Sequence, residues 1–510
     1  MAAFQLAIVG LDLALQPTNA KWLGSTAVNA ADAAIYLDYL EQGRMGFGLI
    51  NPHFDQPQTP RIDPFWSTAG LLTRVGLSPL WTYNGLRVFF AFILAWALYA
   101  AAKSTTHNEK DARLMSFLMV SGLGVGFLNA IIFRPEAGQL VSPDLDSEFA
   151  IAPMLLGGPH ILLSMALQIT AIRFIWTGVR GNDIGQASLG GLAAALLASF
   201  HPYFIPLIGL VCSMACLHPN VSVDFGKRLR SAAAALAPSL VPVAYYVWLM
   251  ADPSFKHWSQ SNVLPLQPVH VWAITLSPLI LAAVWITCSR TRTRWSGPKR
   301  PDWAVAWIVA ALICLLLPFP WARKYTQALL SMGVLLTQPA WLKFRDWTKT
   351  QTRMLRCMLA FACCFPFLFL LKQETAYLAD QKWNGNFYQT DSVFKAWSLM
   401  KQDRSPALAM ATDPGINIWT PTYSGHGVWI GHPHATPDYA NRKKEFESWL
   451  AGNDAKSYNE FLNRRNVKYL LSYPAEKTDR ADKLLDNTWA RLVDGQGVGL
   501  WRKLDAPATD

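Results

Sequence analysis

Apolar residues come in long blocks between Phe4 and Leu371, separated mostly by short polar stretches. A hydrocarbon core about 30 Å thick asks about 17–25 apolar residues of each helix that crosses it, and the pattern predicts roughly ten or eleven such helices. They fall at Phe4–Leu15, Leu86–Ala102, Leu114–Phe133, Pro159–Val179, Ala187–Phe200, Ile205–Leu217, Ala232–Ala251, Val271–Cys288, Trp303–Leu317, Tyr325–Trp341 and Met358–Leu371. Phe4–Leu15 reads as an uncleaved first span, because no small-residue cleavage site precedes a mature domain and many spans follow. After Leu371 the pattern changes. Ala407–Thr412, Gly427–Gly431, Lys468–Ser472 and Val498–Lys503 read as short strands, Asn441–Ala451 and Ala455–Asn463 as helices, with Trp489 and Trp501 closing a core. The expected fold class is therefore an α-helical polytopic membrane protein with a small C-terminal α/β domain, divided at 1–372 and 373–510.

Composition narrows the class. Hydrophobic residues make up 52% of the chain and charged ones 15%, where a soluble chain carries about 25% charged. The formal charge of +11 does not point to nucleic acid, because its placement reports topology instead. Lys103, Lys110 and Arg113, then Arg180, then Lys227, Arg228 and Arg230, then Arg290 to Arg300, then Lys343 to Arg356 fill alternate loops, which positions those loops in the cytoplasm. The other loops and the tail then face outward from the inner (plasma) membrane. The seven cysteines all lie in or beside apolar segments, so no disulfide framework is available outside.

One outward loop is far longer than the rest, from Pro17 to Leu80, and it carries acids. Asp32 sits among Ala30, Ala31, Ala33 and Ala34, with Tyr36 four positions on. A carboxylate so placed is suited to take a proton from a hydroxyl or to hold a cation against a phosphate; it also suits a solvated loop acid or a helix cap. The run Asn29-Ala30-Ala31-Asp32-Ala33-Ala34-Ile35-Tyr36-Leu37, then Gly43, resembles the start of the first outer loop in GT-C glycosyltransferases. The later run Thr59-Pro60-Arg61-Ile62-Asp63-Pro64-Phe65-Trp66, then Gly70, Gly76 and Arg87, is similar to the family's proline and aromatic stretch. Ala33 stands where many members carry a second acid, and Arg61 where a proline pair often continues.

The resemblance, to the polyprenyl-phosphate-sugar-dependent group that includes mannosyltransferase-like members, implies a GT-C-like fold and transfer of a sugar from a polyprenyl-phosphate carrier to a glycan or lipid acceptor. It makes Asp32 the catalytic base. Asp144, Asp146 and Glu148 in the second outer loop resemble the family's second acidic motif and could complete a divalent-cation site with Asp32; otherwise they are ordinary loop charge. Arg323 and Lys324 depart from the positive-inside trend and could hold the carrier phosphate, as could Arg87; interfacial anchoring and ion pairing are the plainer readings. His160, His201 and Tyr203 sit at span ends or helix breaks, where an unwound backbone is tolerated when it lines a cavity. Tyr36, Trp66 and Trp81 could face a sugar ring. His426, His432 and His434 lie close together in the tail without an evident fourth metal ligand. A transporter or flippase for lipid-linked glycans, or an assembly scaffold, stays open as an alternative.

Overall fold

The computed structural model describes residues 1–26, 30–126, 128, 150–219, 223–261, 268–288, 301–318, 321–327, 329–379, 386–403, 405, 407–495 and 497–504. Asp144, Asp146 and Glu148 lie outside the described residues. The chain divides into two compact units. A helical unit comprises Met1–Ile8, Gly85–Trp248 and Val263–Glu374, and a sheet unit comprises Val9–Asn84, Leu249–Asn262 and Thr375–Asp510.

In the helical unit the apolar blocks fold as expected, with breaks that hydropathy alone does not reveal. Among the described residues, five helices are long and apolar enough to cross a membrane: Pro79–Lys103, Pro159–Gly181, Phe225–Leu249, Val269–Cys288 and Arg356–Ala379. Four shorter apolar helices accompany them, among them Ile184–Ala198 and Asp302–Leu316. The expected span Leu114–Phe133 is cut at its middle. Its helix, Glu109–Ser121, begins on an Asn108 cap and ends at Gly122, whose φ of 71° takes the left-handed conformation that closes a helix. The expected span Tyr325–Trp341 is three pieces, a 3-10 turn at Ala322–Thr326, then Leu329–Leu336, then Gln338–Lys349. Pro339 sits in the first turn of the last piece, where its missing N–H costs nothing. The final apolar helix runs on past Leu371 to Ala379, since Lys372, Gln373 and Glu374 are good helix formers.

The sheet unit gathers segments from both ends of the sequence. Strands β1 (Ala20–Trp22), β2 (Gly48–Leu49) and β3 (Arg61–Ile62) come from the early polar region, and β4 (Tyr388–Thr390), β5 (Leu408–Ala411), β6 (Gly427–Val428), β7 (Val467–Ser472), β8 (Trp489–Gly495) and β9 (Val498–Lys503) from the tail. The main sheet has the order β6-β5-β7-β9-β8; β5 runs parallel to β6 and β7, and β9 antiparallel to β7 and β8. Its core packs Trp429, Phe446, Trp449, Tyr458 and Phe461 with Trp489 and Trp501, and full burial of each large side chain is worth about 1.5–3 kcal/mol.

The stretch from Pro17 to Leu80 is not an open loop. It folds into a helix Ala30–Met45 and a second helix Pro64–Arg74. Asp63 caps the second, accepting the N–H groups of Phe65 and Trp66, with Pro64 at the first helical position. Gly43 and Gly70 are why the two helices meet backbone to backbone: a Cβ on Gly70 would lie 2.5 Å from the Gly43 carbonyl carbon, and one on Gly43 2.8 Å from the Trp66 oxygen. β1 pairs antiparallel with β4, matching Ala20 with Thr390 and Trp22 with Tyr388. Thr422 Oγ1 donates to the Ala34 carbonyl and Lys401 Nζ to Glu41, so the Asp32 helix is docked on the tail's own helices.

Candidate functional site

Asp32 occupies the first turn of Ala30–Met45, where the exposed N–H groups of a helix start favour negative charge. Its Oδ1 lies 2.8 Å from Nε2 of His432. The tautomer of that histidine follows from its other nitrogen. The backbone N–H of His434, which has no choice but to donate, points at Nδ1 of His432 across 3.1 Å. Nδ1 therefore accepts, the ring proton resides on Nε2, and Nε2–H donates to the Asp32 carboxylate. The His432 side chain is 4% exposed and that of Asp32 36%, so the pair has a buried donor and an accessible acid.

The loop bearing His432 is held on several sides. Gly431 N donates to Thr436 Oγ1, Asn51 Nδ2 donates to the Ala435 carbonyl, and Ser261 Oγ donates to the His434 carbonyl at 2.7 Å. His257 Nε2 lies 3.1 Å from the Thr436 carbonyl. Asp252 caps the helix Pro253–Ser261 that carries His257 and Ser261; bonds from Ser254, Thr59 and Phe255 overcome its partial burial and draw its carboxyl down to about 2. Behind His432 lies His53, whose Nδ1 accepts the His432 backbone N–H. Burial, and then the neighbouring His432, push His53 well below the usual histidine range, so its ring is neutral. A Cβ on Gly431 would fall 2.3 Å from that Nδ1, and only glycine admits the approach.

Two further acids of the same segment are buried. Asp38 is buried against Gln42, and burial pushes its carboxyl up to about 7. Burial likewise raises Asp63, against the pull of Arg61 and of the two N–H groups it caps. Tyr36, Trp66 and Tyr83 form a stack, with Tyr36 and Trp66 centroids 4.8 Å apart and 11° from parallel. Trp66, expected to face a sugar, is 2% exposed: stacking against the Asp32 helix occupies it. Trp81 remains exposed.

In the helical unit a second cluster forms where a helix is interrupted. Ile184–Ala198 ends, and Pro202 restarts the chain as a 3-10 turn before Ile205–Leu217. A residue before proline is pushed out of the helical region, and His201 accordingly sits at φ −133° and ψ 65°. The Ser199 carbonyl left by the interruption accepts the Tyr246 hydroxyl at 2.9 Å. His201 faces His160, the second residue of Pro159–Gly181, with ring centroids 5.1 Å apart, and lies equally close to Tyr203. Lys324 places its ammonium 5.1 Å over the Tyr203 ring, and Trp321, whose Nε1 donates to the Tyr325 hydroxyl, flanks the same ring at 6.5 Å. Four of the residues expected from sequence, His160, His201, Tyr203 and Lys324, thus share one cluster. Arg323 is buried beside them in sequence. Arg87, expected at a phosphate, instead donates from Nη2 to the Leu155 carbonyl, which also accepts Gln5; it braces the backbone leaving Ile151–Met154.

Among the described residues no three His, Cys, Asp or Glu side chains come together as a metal would need. The expected grouping of His426, His432 and His434 is resolved into separate partners: His426 meets the Met400 carbonyl, His432 meets Asp32, and His434 meets Ser261. Sequence reasoning noticed these histidines but not the pairing, because Asp32 and His432 are 400 positions apart.

The architecture has known counterparts. Arabinofuranosyltransferase AftD from Mycobacteria superposes with a TM-score of 0.56 at 11% identity, over 100% of this chain and 42% of that one. The oligosaccharyltransferase AglB from Archaeoglobus fulgidus, solved with an inhibitory peptide and a dolichol-phosphate, gives a TM-score of 0.47 at 11% identity over 99% and 75%. The Archaeoglobus fulgidus oligosaccharyltransferase solved with zinc and sulfate gives 0.39 at 11% identity over 99% and 74%. No protein-family model matches the sequence, and no curated protein matches it. The likeness to AftD shows the fold alone, a GT-C-like one in which apolar helices long enough to cross a membrane accompany a mixed five-stranded sheet.

Proposed function

We propose that the chain is a membrane glycosyltransferase that moves a hexose or pentose from a polyprenyl-phosphate carrier to a glycan or lipid acceptor, with Asp32 as the base. The observation that carries this reading is the Asp32–His432 pair, an accessible carboxylate held in one orientation, in a chain with the fold of an arabinofuranosyltransferase. The acceptor hydroxyl oxygen attacks the anomeric carbon as its proton passes to the Asp32 carboxylate. The bond from that carbon to the phosphate oxygen breaks, its electron pair leaves with the polyprenyl phosphate, and the anomeric centre inverts. Within the helical unit, the Lys324 ammonium with the tyrosine hydroxyl and imidazole groups of Tyr203, His201 and His160 offers charge and donors suited to a phosphate. The loops rich in lysine and arginine face the cytoplasm, and the Asp32 surface faces outward.

The test is release of polyprenyl phosphate by the purified full-length protein in liposomes. A panel of synthetic polyprenyl-phosphate hexoses and pentoses serves as donor and a membrane glycolipid extract as acceptor. Asp32→Asn should lower release about 10²–10⁴-fold while the protein still inserts and purifies as wild type does. Undiminished release by that variant overturns the assignment.

A further inference from the structure

We infer that His432 is the positioning residue for the Asp32 carboxylate, so that the tail supplies a part of the reaction centre. This rests on the reading of Asp32 as the base. Three features of the geometry carry it. The backbone N–H of His434 at Nδ1 fixes the His432 proton on Nε2, so the ring reaches Asp32 as a donor. The 2.8 Å bond to Oδ1 commits one carboxylate oxygen and stops rotation of the group. Finally, the loop around His432 is over-determined, by Thr436 from within, by Asn51 and Ser261 from outside, and by the Gly431–His53 contact behind it.

A loop restrained to this degree holds the imidazole still, and an acid aimed by a fixed donor is what a proton transfer needs from its base. A structural histidine of the sheet core would have no reason to spend its one ring proton on a side chain that is itself accessible. Asn51, His53 and Ser261 hold the loop that carries His432.

The experiment uses the full-length protein in liposomes with the same donor panel and glycolipid acceptor, comparing wild type, Asp32→Asn, His432→Ala, His432→Gln and the double variant Asp32→Asn/His432→Ala. His432→Ala should lower kcat about 10- to 100-fold with KM for the donor unchanged, as misaimed catalytic groups do. His432→Gln, whose amide can donate to the same oxygen, should recover most of that loss. In the Asp32→Asn background His432→Ala should cost nothing further. If Asp32→Asn is impaired but His432→Ala keeps wild-type kcat, the inference on His432 falls and the Asp32 assignment stands. If His432→Gln is as impaired as His432→Ala although it melts like wild type, the inference falls as well. If Asp32→Asn itself turns over normally, the base assignment fails and takes this inference with it.

Discussion

The two clusters are built in contrasting ways. In the sheet unit Asp32 is held by a partner from distant sequence, His432, and Glu41 by Lys401 as well as by its neighbour Arg44. In the helical unit the polar groups gather around a break in one helical run and are lined by aromatic rings, His201 between His160 and Tyr203 and Lys324 over Tyr203. The first arrangement fixes one atom in one direction, which suits proton transfer. The second offers a cation and several rotatable donors in an apolar setting, which suits a diffuse phosphate charge. Orientation is the asset of one cluster and charge that of the other.

Substitutions can separate these two assets. Asp32→Asn should have the largest effect, a loss of about 10²–10⁴-fold in kcat, read as release of polyprenyl phosphate. Lys324→Ala should cost roughly 100-fold in kcat/KM through the leaving phosphate, and Lys324→Arg distinctly less, because a cation remains. If Lys324→Arg is as impaired as Lys324→Ala, charge is not what the helical cluster provides. Gly431→Ala drives a methyl into His53 and should destabilise the sheet unit by about 1–3 kcal/mol, seen as a lower melting midpoint of the purified protein. Adding His53→Ala should relieve part of that loss.

The smallest effect concerns pH. Burial raises Asp38 from 3.8 to about 7, so the folded protein keeps a proton that the unfolded chain has released. That contribution to stability is full below 3.8 and is lost as pH rises through about 7. Asp38→Asn should therefore flatten the decline in melting midpoint between about pH 4 and pH 7, and an unchanged slope would remove Asp38 as its source.

Much of the helical unit could be read directly, because a bilayer imposes length and hydropathy on every crossing helix. What hydropathy averages over is the backbone: it saw apolar residues on both sides of Gly122 but not the left-handed turn there, and it merged the pieces around Thr326 and Thr337 into one span. Asp32 was identified from its neighbours and from a family resemblance. His432 stands out only as one of three nearby histidines, and its bond to Asp32 is a contact no local pattern encodes. Gly43 and Gly70 stood in the motif without an evident reason; the structure supplies it as the contact between two helix backbones. The short strand pairing β1 to β4 was likewise illegible, since three residues carry no periodic signal.

That pairing has a consequence for how the protein comes into being. Ser25 bonds the Asn386 carbonyl across 361 positions, and Ala34 waits for Thr422 across 388. The first polar segment therefore leaves the ribosome long before its partners exist, and it cannot close while the intervening apolar helices are still being threaded into the bilayer. A nascent chain interrupted anywhere before the tail would carry Asp32 without its donor. The proposed reaction centre is thus among the last things to be completed, and an unfinished copy lacks the pair on which the proposal rests.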